Sequence, residues 1–237
     1  MSLALYDTGQ LRFWSEAEIA LRDGFISRLA YTVKSPLLTL NKSWRFERVE
    51  GPLLTPQAYI SPAYTVDDLW ATNGTIGGGT VALRAETTAS SYIYANHLMS
   101  QKGGNTKLPI CVYQAGKSFR REESDGASAT KLRFFEFYQL EFQCIYSKTT
   151  GADYITPVTK NIQREISLIT GLETRVVPSD RLPSYSEGTI DVEVKFNDQW
   201  REMCSISKRN DFSSDAWVLE VAIGLDRLVE VTNREIC

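Results

Sequence analysis

Two adjoining stretches decide how this chain is read: "GKSFRREESDG" (residues 116–126) and "KLRFFEFYQLEFQCIY" (131–146). The first packs arginines and glutamates before an acidic glycine turn. The second alternates aromatic and polar residues with period two, the mark of a strand. That period places Leu132, Phe134, Tyr138, Leu140 and Phe142 on one face, a core face. Arg133, Phe135, Phe137, Gln139 and Glu141 fall on the other. Arg120 and Glu122 share a parity on the preceding strand, so two antiparallel strands can present Arg120, Glu122, Phe137 and Glu141 on one surface. Arginine suits a phosphate, phenylalanine a flat base, and carboxylates an ammonium or Mg²⁺. On pattern alone, that surface is either an ion-paired face in water or the floor of a site.

Outward from this pair, the chain reads as alternating strands with a few helices. "SEAEIALRDGFISRLAYTVK" opens with Ser15 and Glu18 in capping-box spacing and continues at helical period, so a long helix is expected to end before Pro36. "SWRFERVEGPLLTP" (43–56) reads as one strand halted at Pro52. "PVTKNIQREISLITGL" puts Val158, Ile162, Ile166 and Ile169 on one helical face, with Gly171 as a stop. "GTIDVEVKF" and "QWREMCSI" read as adjacent strands, and "WVLEVA" as a strand entering a helix near Gly224. Asp191 and Glu193 alternate with core residues and read as a solvated strand face. The joining loops are mostly too short for crossover helices. The expected fold is α+β, an antiparallel sheet flanked by helices.

Composition narrows the chemistry. The chain has 237 residues, 43% hydrophobic and 23% charged, which suits one domain over 1–237 with an ordinary core. No apolar run approaches the ~20 residues of a membrane span. The N-terminus lacks a signal-peptide pattern, and Cys111, Cys144, Cys204 and Cys237 show no Cys-x-x-Cys spacing. Together these point to a reducing, cytoplasmic setting without structural zinc. A net charge of −3 excludes a protein that coats nucleic acid electrostatically. One histidine, His97, argues against a histidine-based triad and reads as structural.

The residues above resemble the class II aminoacyl-tRNA synthetases, and glycyl-tRNA synthetase in particular. "SFRREE…LRFFEFYQLEFQ" resembles motif 2, and "RFERVEGPLLTP" resembles motif 1, the strand of the dimer interface. "LRAETTASSYIYANHL" is similar to the family's Leu-Arg-Pro-Glu-Thr segment. "YSEGTIDVEVKF" and "QWREMCSISKRNDF" are similar to two further segments, and "LEVAIGLDRLVEV" resembles motif 3. The six occur in family order between about residues 44 and 231. The resemblance implies a class II antiparallel sheet that binds ATP, Mg²⁺, an amino acid and an acyl acceptor such as a tRNA end, and works as a homodimer away from membranes.

Carried across, it implies that Arg120 holds the α-phosphate. Glu122 lies on the adenine side, Phe137 stacks on the base, and Arg227 covers the other face and reaches the γ-phosphate. Arg133 joins the ATP set. Glu202 would help to hold Mg²⁺ or the reacting groups. Glu86 and Glu220 would bind the substrate ammonium with Glu141 nearby, Arg209 would lie at the amino-acid and phosphate end, and Ser205 and Ala222 would line the amino-acid pocket. The chain departs from the family at Ala85, Ala89, Ser90, Phe135, Cys204, Ser205 and Ala222, mostly on the amino-acid side. Motif 3 ends about six residues before Cys237, so no anticodon-binding domain is expected after it. The leading expectation is ATP-dependent activation of a small amino acid as its adenylate. The alternative is a non-catalytic synthetase paralogue serving as an accessory subunit, for example of a polymerase.

Overall fold

The computed structural model describes residues 12–60, 64–101, 107–121, 127–180 and 183–236. Its first helix, α1 (Glu16–Leu40), begins with the expected capping box: the Ser15 hydroxyl accepts from the Glu18 N–H, and the Glu18 side chain accepts from the Ser15 N–H. The helix does not stop before Pro36. It runs through the proline to Leu40, because Phe25, Leu29, Val33, Pro36 and Leu37 continue one buried stripe. Packing of that stripe offsets the single hydrogen bond that proline removes.

The stretch 43–56 divides between two sheets rather than forming one strand. Strand β1 (Arg45–Arg48) joins the large sheet, and β2 (Leu54–Pro56) joins a small one with β3 (Ala71–Ile76) and β4 (Gly79–Leu83). Helix α2 (Thr88–Ser100) then leads to β5 (Ile110–Phe119) and β6 (Glu136–Ser147). Helix α3 (Ile155–Thr170) follows, with strands β7 (Thr174–Pro178), β8 (Ser186–Phe196), β9 (Gln199–Arg209) and β10 (Ala216–Gly224), and helix α4 (Leu225–Ile236). Gly171 ends α3 at φ +70°, a left-handed conformation that glycine adopts without a Cβ clash. Asn197 and Asp198, both at positive φ, close the two-residue turn between β8 and β9.

The large sheet has the order β1-β5-β6-β10-β9-β8-β7. Every pair is antiparallel except β1 with β5, which is parallel. One face is the core. Leu140, Phe142, Ile206, Val221 and Ile223 pack there against Phe25 and Leu29 of α1, Ile162 and Ile166 of α3, and Leu228 of α4. On the other face α2 covers only part of the sheet, where Ala95 meets Ile110, Val112, Ile145 and Val218. The remainder of that face forms the floor of a cavity.

The second quoted stretch is shorter as a strand than its alternation suggests. Strand β6 begins at Glu136, and residues 128–133 form a turn closed by a bridge between Ser128 and Arg133. Leu132 is buried as expected, but from a left-handed turn at φ 54° rather than from a strand. The α+β class and the antiparallel pairing of the two quoted stretches are borne out.

Candidate functional site

The floor of the cavity is set by strand register. Gln114 of β5 lies opposite Glu141 of β6, which lies opposite Ala222 of β10. Ala222 in turn faces Ser205 of β9, and Ser205 faces Asp191 of β8. Five strands thus contribute one continuous row. The neighbouring row joins Gln143, Glu220, Ser207 and Thr189. These side chains share a face because each pair is in register and side chains alternate along a strand. The cavity above them is about 280 Å³.

At one end stand three carboxylates. Glu141 is 2% exposed and accepts hydrogen bonds from Thr88 Oγ1 (2.6 Å), Gln143 Nε2 (2.7 Å), Gln139 Nε2 (2.8 Å) and the Thr87 N–H (3.3 Å). Burial and the nearby Glu220 charge raise its pKa in spite of those donors. Glu220 accepts from Gln143 Nε2 (2.9 Å), Thr88 Oγ1 (3.3 Å) and Arg209 Nη1. Glu86 completes the group. Burial and the charges of Glu141 and Glu220 push its carboxyl up to about 8, against the opposing pull of Arg209 and Arg120.

Arg209 is 1% exposed and is the cation beside this cluster. It is shared, for its Nε and Nη2 also reach Asp211 at 3.1 and 2.6 Å, and its guanidinium lies 4.0 Å from the Tyr185 ring centre. Burial alone would lower its pKa; the surrounding carboxylates reverse that and raise it. Burial and the cluster's own negative charge raise the pKa of Glu86 and Glu141 even with Arg209 and Arg120 nearby, so this end of the cavity favours a further positive charge.

The other end is aromatic and cationic. Arg120 donates through Nη2 to the Tyr64 hydroxyl (2.8 Å) and through Nε to the Ala85 carbonyl (3.4 Å). Its guanidinium lies over two rings, 5.1 Å from the centre of Phe137 and 5.3 Å from that of Tyr64. Arg227, from the first turn of α4, donates to the Leu132 carbonyl (3.1 Å) and the Glu202 carbonyl (2.8 Å), and pairs with the Glu202 carboxylate at 3.3 Å. Arg133 lines the same cavity.

The structure therefore brings together Arg120, Arg133, Phe137, Glu86, Glu141, Glu202, Ser205, Glu220, Ala222 and Arg227 around one cavity, with Arg209 directly behind Glu220. Glu122 lies outside the described residues. Asp191 is a correction: it is 7% exposed and lines the cavity instead of a solvated face, where Ser179 and Ser205 flank it; that burial raises its pKa. Glu193, on the same face of β8, lines the adjoining cavity partly exposed and pairs with Arg175 at 2.6 Å. His97 is exposed on α2 and hydrogen-bonds Gln101.

Sequence reasoning missed Thr88, Gln143 and Tyr64. Gln143 lies two residues beyond Glu141 on the same strand, so the period carried that signal. Tyr64 reaches Arg120 from a loop, and no local pattern marks it. Phe135, which stands where the family has an arginine, packs edge-on against Trp70 with ring centres 6.2 Å apart.

Among solved structures, prolyl-tRNA synthetase from Giardia lamblia in complex with prolyl-adenylate matches with a TM-score of 0.71 at 14% identity, over 94% of this chain and 48% of that one. The fold is that of a class II aminoacyl-tRNA synthetase catalytic core. Prolyl-tRNA synthetase from Cryptosporidium parvum, complexed with halofuginone and AMPPNP, matches at 0.65 and 11% identity over 87% of this chain and 46% of that one. In sequence, the glycine–tRNA ligases of Staphylococcus aureus strains JH9 and Newman are 33% identical over 141 residues, 56% of this chain. The chain spans 28% of the length of those relatives. No family model matches it. Among the described residues, no helix of this synthetase-like core is long and apolar enough to cross a membrane.

Proposed function

We propose that this chain is a single ATP-dependent amino-acid-activating domain that joins a small amino acid to AMP and passes the acyl group to a tRNA end or another acceptor in the cytoplasm. One observation carries the reading: a guanidinium-and-aromatic set (Arg120, Phe137, Arg227) and a carboxylate set (Glu86, Glu141, Glu220) line one cavity, with Ala222 in register beside Glu141. Relatives in sequence are glycine–tRNA ligases, and the structural neighbours were captured with prolyl-adenylate or with AMPPNP.

In this reading the amino acid's ammonium lies against Glu86, Glu141 and Glu220. Its carboxylate then points toward Arg120 and attacks the α-phosphorus, with pyrophosphate leaving in line. Arg120 neutralises the charge that develops on the α-phosphate, and Arg227 holds the base and the far phosphates. Phe137, which lines the cavity, offers its ring to the base. No group of three or more potential ligands that could hold a metal occurs among the described residues. That is compatible with Mg²⁺, which commonly takes one or two carboxylates and completes its shell with phosphates and water. Glu202 would supply such a carboxylate, and the metal would add charge neutralisation of the phosphates. Ser205 and Ala222 leave little depth for a side chain, which favours a small amino acid.

A second copy of the chain is part of the reading. Leu53, Leu54, Tyr59, Trp70 and Ile76 are exposed on or beside the small sheet, next to the segment that resembles motif 1. Light scattering at micromolar concentration is expected to give the mass of a dimer. The central test is pyrophosphate exchange across the twenty amino acids. Exchange with a small amino acid supports activation; ATP binding without exchange for any amino acid replaces it with a non-catalytic subunit.

A further inference from the structure

The polar row of the floor extends beyond the groups used so far. Asp191 is its last member, three strand spacings from Glu141, or about 14 Å between backbones. Its side chain is flanked by the hydroxyls of Ser179 and Ser205. In the neighbouring row Thr189 Oγ1 and Ser207 Oγ are 3.0 Å apart, so this flank of the cavity is lined with hydroxyls. One Asp191 oxygen, Oδ1, is buried and has no hydrogen-bond partner. Native interiors rarely leave a carboxylate oxygen without a donor, since the loss of its hydration is not recovered. Asp191 also lines the adjoining cavity, which opens past Glu202 and Arg227, so the carboxylate stands where the two spaces meet.

We propose that Asp191 is a binding and specificity residue that accepts a hydrogen bond from an aliphatic hydroxyl of the bound substrate. The inference rests on the activation reading and deepens it. A hydroxyl fits better than a second ammonium. The flanking serine and threonine hydroxyls can both donate and accept, whereas a cation would be drawn to the carboxylate end at Glu86, Glu141 and Glu220. The hydroxyl has two possible sources, the ribose of the nucleotide and the side chain of a hydroxylated amino acid such as serine or threonine.

The test is isothermal titration of the full chain and of Asp191→Asn with ATP, 2′-deoxyATP, 3′-deoxyATP, glycine, alanine, serine and threonine, and with Mg²⁺ alone. Asparagine keeps the shape but removes the charged acceptor. Loss of one charged hydrogen bond corresponds to about tenfold in affinity or more. If ribose supplies the hydroxyl, the wild type loses that factor on one deoxy analogue, and Asp191→Asn binds ATP and the analogue alike. If a side chain supplies it, the wild type prefers serine or threonine to alanine by that factor, and Asp191→Asn loses the preference. A wild type that binds ATP but is indifferent to every hydroxyl overturns the inference and leaves the activation reading standing. Mg²⁺ binding in the absence of nucleotide that disappears in Asp191→Asn also overturns it, in favour of a cation site. A wild type that binds neither ATP nor any amino acid removes both.

Discussion

Replacing Glu220 by glutamine separates a ligand-binding carboxylate from a structural counter-ion. Glutamine matches the side chain in length and keeps an acceptor for Gln143 and Thr88, now 2.9 and 3.3 Å away. Arg209 loses one charged partner but retains both contacts to Asp211. That loss is offset in part because Glu141 no longer faces a neighbouring negative charge, one of the causes that raise its pKa. The two effects oppose each other, so stability is expected to change by no more than about 1 kcal/mol. An ammonium ligand has no such offset. It loses a charge-assisted hydrogen bond of about 1.5–3 kcal/mol, which is roughly tenfold to a hundredfold in affinity. The contrasting variant is Arg209→Met, which strands Glu220 and Asp211 beside a buried gap and is expected to cost about 3–5 kcal/mol. Urea denaturation gives the stabilities, and calorimetry with an amino acid and with its des-amino analogue gives the affinities. If Glu220→Gln destabilises as much as Arg209→Met, or leaves the amino acid's advantage over the des-amino analogue intact, Glu220 serves Arg209 alone and the ammonium site is wrong.

Three further expectations follow from the same geometry. In the free protein Glu86 keeps its proton up to about pH 8, whereas an adjacent ammonium favours the carboxylate; binding should therefore release a proton near neutrality and strengthen as pH rises toward 8, which calorimetry in buffers of different ionisation enthalpy reads directly. Glu86 and Asp226, raised by burial to about 8 and about 7, bind protons more tightly in the folded chain than in the unfolded one, so their stabilising contribution is complete below about pH 4 and is lost as pH rises to about 8; Asp226→Asn should flatten the fall of the thermal midpoint across that range. Gly116→Ala would place a Cβ 2.3 Å from Arg84 Nη2, and Arg84 is held by the Gly51 and Lys117 carbonyls at 2.9 and 2.7 Å, so a loss of about 1–3 kcal/mol is expected in chemical denaturation, against almost none for Gly151→Ala, where the space is open.

Local patterns made much of this structure legible. The capping box of α1, the apolar stripe and glycine stop of α3, the β8–β9 hairpin and the strand-to-helix passage at Gly224 all depend on residues within a few positions of one another. The parity of Phe137 and Glu141 was equally readable, and it placed both on the open face. What escaped the sequence depends on partners far along the chain. Pro36 looked like a stop because the stripe that carries α1 past it is visible only when α1 meets the sheet. Residues 43–56 alternate like one strand, yet β1 and β2 belong to different sheets. Asp191 and Glu193 share one face of β8 and look alike in one dimension; only the fold places Asp191 in the cavity beside Ser179 and Ser205 and leaves Glu193, farther along the strand, partly exposed with Arg175. Thr88, which bonds both Glu141 and Glu220, reaches them from a helix start more than fifty residues from Glu141.

The row from Gln114 to Asp191 also bears on how the protein reaches its native state. Its neighbours in space come from β5, β6, β10, β9 and β8, so the order across the sheet is not the order of synthesis. Strand β10 must insert between β6 and β9 before Ala222 can separate Glu141 from Ser205. Closing so long a loop is entropically slow and comes late compared with forming the β8–β9 hairpin. The cavity floor is thus absent from any intermediate in which β10 is undocked. A nucleotide or amino acid added during refolding should leave the early phases unchanged and act only on the final species, slowing its unfolding.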